Sequence, residues 1–121
     1  MSESISWSVV ARVDAGPVVS AEATMQADAY DKLEVTIAAH KTLAVSIAPD
    51  KWTSVQLLVL SPETPNKLTY AVDSVDIAFD NPHFLVGGAV ALLGTGSASL
   101  SFKNDGDTDT TVDILVGRKA T

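Results

Sequence analysis

The sequence predicts an all-β fold, an antiparallel β-sandwich of jelly-roll-like kind, and three observations carry that prediction. Val, Ile and Thr fill 31 of the 121 positions, and β-branched side chains pack well on a pleated surface but lose rotamer freedom in a helix. Apolar residues recur with period two along nearly the whole chain, which is the periodicity of a strand with one face on a core. Turn residues interrupt that alternation roughly every 8–12 residues, the spacing of a sandwich or jelly roll.

The elements follow in order. Ile5, Trp7, Val9, Ala11 and Val13 share one face of a first strand, which Gly16-Pro17 ends. Val19, Ala21, Ala23, Met25 and Ala27 give a second, weaker alternation. Residues 28–39 come nearest to a helix, yet Val35, Thr36 and Ile37 favour a strand in which Leu33, Val35 and Ile37 share a face. Leu43, Val45 and Ile47 repeat the pattern, and Pro49-Asp50-Lys51 is a turn. The run VQLLVL (residues 55–60) is the mark of a strand covered on both faces. Residues 61–67, with two prolines and an Asn, form a loop. Leu68, Tyr70 and Val72, then Val75, Ile77 and Phe79, continue the alternation up to the turn Asp80-Asn81-Pro82. After the apolar stretch Phe84–Leu93 come the turn at residues 94–97, a strand with Leu100 and Phe102, the acidic turn 104–109, and a last strand with Val112, Ile114 and Val116 on one face. No repeat, linker or low-complexity tail is visible, so residues 1–121 read as a single domain.

Composition excludes several function classes. The net charge is −7, with only eight Lys and Arg scattered from Arg12 to Lys119, so there is no basic stripe for nucleic acid or for an anionic membrane surface. There is no Cys, hence no disulfide framework, thiol nucleophile or Cys-ligated zinc. The first residues lack a basic and an apolar region, so no secretory signal is expected. The longest apolar stretch, Phe84–Leu93, has ten residues, against the about 20 that span a bilayer.

The candidate chemistry is sparse. Asp105, Asp107 and Asp109 alternate as calcium ligands do, but an EF-hand loop needs Gly and Glu where this chain has Thr110 and Val116. The turn reads instead as a hairpin loop in which Asn104-Asp105-Gly106 supplies positive φ and the acids bond their own backbone. His40 and His83 stand alone in turns, with no second imidazole at ligand spacing. None of the twelve serines lies in a nucleophile elbow, and Gly94-Thr95-Gly96-Ser97 lacks the Lys of a phosphate loop. Carboxylates such as Asp73 and Asp76 read as a solvated strand face. Neither enzyme activity, nor a metal site, nor a cofactor is expected. Trp7, in phase with Ile5 and Val9, reads as core; Trp52, in the turn after Pro49, is a candidate surface anchor.

Two stretches carry a family likeness: GPVVSAEATMQADAYDKLEVTI (residues 16–37) followed by TLAVSIAP (42–49), and LSFKND (100–105) with VDILVGRKAT (112–121). Together they resemble the small β-sandwich cement or decoration proteins on the capsid exterior of tailed bacteriophages. The likeness covers most of the chain but contains no diagnostic motif, so no functional residue is carried over. It implies a virion structural protein that forms a homo-oligomer, a trimer by preference, and binds the major capsid protein or another virion protein. A head-fibre or tail subunit fits the same features; the competing class is a carbohydrate-binding or adhesion module. The residues expected at an interface are Trp7, Trp52, Phe84, Leu85, Val90, Leu92 and Leu93. Phe84–Leu93 reads either as such an interface or as a central strand covered on both faces, and the N-terminal stretch through Trp7 as an arm for a neighbouring sheet edge.

Overall fold

Period-two alternation becomes strand wherever the chain can reverse, and the computed structural model follows it through residues 3–63, 67–94 and 96–119. The strands are β1 (Glu3–Arg12), β2 (Val18–Ala27), β3 (Ala29–Ile37), β4 (Thr42–Lys51), β5 (Val55–Pro62), β6 (Leu68–Val72), β7 (Val75–Ala78), β8 (His83–Val86), β9 (Ser97–Asn104) and β10 (Thr110–Arg118). Ser61 and Pro62 of the expected 61–67 loop close β5, and residues 64–66 lie outside the described residues. So does Thr95 of the expected 94–97 turn, whose last residue, Ser97, opens β9.

Eight of these strands form two antiparallel four-stranded sheets, ordered β3-β10-β5-β8 and β4-β9-β6-β7, which pack face to face. The pairing is nested: β3 with β10, β4 with β9, β5 with β8 and β6 with β7. It is the pattern of one long hairpin folded over on itself, with β10–β5 and β9–β6 contacts sealing each sheet. Where the chain reverses most tightly, between β6 and β7, Asp73 and Ser74 both take positive φ (49° and 70°), as a two-residue hairpin turn of matching twist requires.

The core lies between the sheets. Leu58, Leu60, Phe102, Val112, Ile114 and Val116 have no exposure at all, and Phe79 joins them from just beyond β7. At about 1.5–3 kcal/mol for each large apolar side chain withdrawn from water, these residues supply the driving force that a chain without disulfides needs. Three polar residues are buried among the described ones, Ser54, Asn104 and Thr110, and Asn104 is the deepest. Asn104, 1% exposed, donates to the carbonyls of Ile37 (3.0 Å) and Thr108 (2.9 Å) and accepts from the Gly106 N–H (2.9 Å). A buried amide so satisfied fastens the β9–β10 turn to the end of β3.

Two expectations are corrected here. Phe84–Leu93 is not a central strand: it is the edge strand β8 followed by a 3-10 segment, Gly87–Leu93. Gly87 at φ 60° breaks the strand, because only glycine enters that region without strain. Trp52 is not a surface anchor. It sits in a 3-10 turn, Trp52–Ser54, that folds back under the sandwich and leaves it 1% exposed.

Candidate interaction surface

The first two strands stand apart from the sandwich. β1 and β2 pair only with each other, in unbroken register from Glu3↔Ala27 to Arg12↔Val18. Ile5, Trp7, Val9 and Ala11 face the same way as their partners Met25, Ala23, Ala21 and Val19, so one face of this ribbon is apolar from end to end. The other face carries Ser4, Ser6, Thr24 and Gln26, joined by hydrogen bonds from Ser6 to Thr24 (3.1 Å) and from Gln26 to Ser4 (2.8 Å).

Only the base of the ribbon is seated. β2 runs into β3 through Asp28, whose N–H donates to the Arg118 carbonyl (3.0 Å), and the apolar face folds onto the outside of the β3-β10-β5-β8 sheet. A Cβ on Gly117 would stand 2.7 Å from Ile5 Cδ1, so glycine there leaves the gap that the isoleucine fills. Ala27 and Leu57 complete this small outer core, each 1% exposed. Trp7 reaches the edge strand, where its ring lies 5.5 Å from that of Phe84. Beyond Trp7, residues 8–24 are all exposed. Arg12 is five residues past Trp7, roughly 17 Å at strand rise, and the apolar face continues over that distance with nothing beneath it. Val19 is 72% exposed.

The two outer sheet faces differ in chemistry. On the β4-β9-β6-β7 sheet the outward positions are small or polar, among them Ala44, Ser46, Ser99, Ser101, Thr69 and Lys103. On the other sheet Leu115, Val59 and Phe84 stand side by side in register, each half-buried. The ribbon base covers part of that row, and the Lys32–Asp113 pair (3.1 Å) rims it.

The residues expected at an interface are thus scattered. Trp7 and Phe84 meet at the ribbon's root, so Trp7 is half-buried rather than a core residue. Leu85 faces inward against the main core. Val90 (2% exposed) and Leu93 (6%) plug the corner beside Trp52, and Leu92 (82%) points to solvent. A cleft of about 230 Å³ opens at that corner, lined by Trp52, Val55, Gly88 and Val90 among others. It is smaller than ordinary ligand pockets. Sequence reasoning placed Trp7 in the core by its phase with Ile5 and Val9 and singled out nothing in the ribbon's free half. An alternating pattern tells which residues share a face, and not whether the same chain covers it.

Several polar side chains elsewhere are occupied locally. His40 Nε2 meets Asp107 Oδ1 at 2.9 Å, and Asp109 accepts the Ala39 N–H (3.0 Å), so two of the three alternating acids tie the β9–β10 turn to the β3–β4 turn. Among the described residues no three His, Asp or Glu side chains converge as a metal site would need. His83 shares a 2.7 Å hydrogen bond with the Tyr70 hydroxyl between the two sheets. Burial raises the Tyr70 phenol above its ordinary value. No helix among the described residues is long and apolar enough to cross a membrane. No family model matches the chain, and neither does any curated protein or solved structure.

Proposed function

We propose that this chain is a non-enzymatic structural protein of a virion, a capsid decoration protein that oligomerises and stabilises the head lattice from outside. The observation that carries the reading is the overhanging ribbon: a solvent-exposed apolar face of this extent marks an association site, and an isolated two-stranded ribbon is marginal in water without a partner. The nested strand pairing supports reading the body as a jelly roll, a fold that recurs in capsid proteins. The net charge of −7 would keep such a subunit soluble while it awaits assembly. A glycan-binding module finds less support, since Trp7 and Phe84 are tilted by 56° rather than coplanar. The test is co-sedimentation with capsid shells assembled from the major capsid protein of the same genome. Saturable binding and a higher shell disassembly temperature are expected. No binding to shells, together with binding on a glycan array, would overturn the reading.

A further inference from the structure

We infer that the occupant of the ribbon's free half is a second copy of this chain, and that it seats on the outer face of that copy's β3-β10-β5-β8 sheet beside Val59 and Leu115. The inference rests on reading the ribbon as an assembly device and names its partner. Three observations lead to it. The free half continues, without a change of chemistry, the face whose base already packs on this sheet through Ile5 and Trp7, so the surface it is built to cover is one the chain itself displays. That surface is not fully covered: Leu115 and Val59, paired in register, are only partly buried beside the ribbon's root. In its own chain the free half lies beyond this face, because Trp7 already lies over the edge strand β8 and residues 8–24 run on exposed to solvent.

One contact made in a ring therefore satisfies both surfaces. Each copy gives an arm to the next and receives one from the previous, a heterologous contact that closes when its rotation allows. The second sheet offers no such seat, its outward row being serine, threonine, alanine and lysine.

The absence of cysteine makes the contact directly testable. Val19→Cys and Leu115→Cys are introduced in separate, differently tagged chains, which are mixed at tens of micromolar and treated with a short bismaleimide. A mixed cross-linked dimer is expected, and light scattering of the unmodified chain should give a multiple of 12.6 kDa. The double substitution Val9→Asp, Val19→Asp lies on exposed positions, so the sandwich should still fold and melt cooperatively, at a midpoint lowered only by the loss of the partner, while its mass falls to that of one chain and the mixed link is lost. A monomeric parent, or an oligomer with no arm-to-face link, overturns the inference, as does a link that survives the two aspartates. The outcomes are separable from the decoration reading. A monomer that still coats capsid shells ends the exchange and leaves decoration standing; a cross-linked ring that ignores shells does the reverse.

Discussion

Tyr70 and His83 join the two sheets through a single hydrogen bond of 2.7 Å, surrounded by Phe79 and Phe102. Tyr70→Phe removes the hydroxyl and leaves His83 Nδ1 without that partner, so a loss of about 1 kcal/mol is expected in urea unfolding. The same phenol makes stability depend on alkaline pH. Its folded pKa lies above the ordinary value of 10.0 because burial disfavours the phenolate. Below pH 10 both states keep the proton and nothing changes; above it the unfolded chain ionises first, so stability falls as pH rises. Comparing urea midpoints at about pH 9 and pH 11 in the parent and in Tyr70→Phe checks this, since the substituted chain lacks that component of the loss. Trp52 behaves differently: its indole Nε1 is buried with no hydrogen-bond partner among the described residues. Trp52→Ala should cost about 3–5 kcal/mol for the cavity, whereas Trp52→Phe also removes the unpaired donor and should cost well under that. The roles of the two tryptophans were the part of the site least legible in the sequence. Trp7 alternates like a core residue yet sits on a ribbon with open water beyond it, and Trp52 follows a turn yet is folded under the sheets. Both depend on contacts between strands far apart in the chain, which local periodicity does not encode.

At the level of elements, the strands were nearly all legible, because each apolar alternation is bounded by its own turn residues. The exceptions are Pro49-Asp50-Lys51, expected as a turn but forming the end of β4 after a register irregularity, and Phe84–Leu93, where ten apolar residues fit a strand, and Gly87 at φ 60° instead converts the second half into a 3-10 plug. The ribbon's attachment can be tested at its hinge. A Cβ at Gly117 would collide with Ile5 Cδ1, the far end of a flexible side chain, while the next nearest atoms are at 3.6 Å or more. Gly117→Ala should therefore leave the sandwich within about 1 kcal/mol of the parent and lift the ribbon's base from it. Arg12 provides the readout, since it lies on the exposed half. Trypsin should cut after Arg12 several-fold faster in Gly117→Ala, and in Trp7→Ala, than in the parent, with the fragment beyond β3 still resistant. Equal cleavage in all three would mean that Ile5 and Trp7 do not hold the base.

For the whole molecule, the sandwich class was visible in the sequence but the strand order was not. β3 pairs with β10 and β4 with β9, partners far apart in the chain, and no local signal announces which distant strand completes a sheet. The charge of the whole molecule sets the last expectation. Every copy carries −7, so bringing copies together is opposed by their mutual repulsion, while the contact inferred between arm and sheet is apolar. The two respond oppositely to salt. Screening shortens the reach of surface charge from about 10 Å at 0.1 M to about 3 Å at 1 M, and apolar burial is not weakened by it. Self-association followed by sedimentation equilibrium should therefore tighten when sodium chloride is raised from about 0.05 M to about 0.5 M, because only the opposing term shrinks. An ionic contact, such as Arg12 of one copy against the Lys32–Asp113 rim of another, would loosen over the same range. The sign of the salt effect thus decides whether the valines of the ribbon or its charges hold copies together.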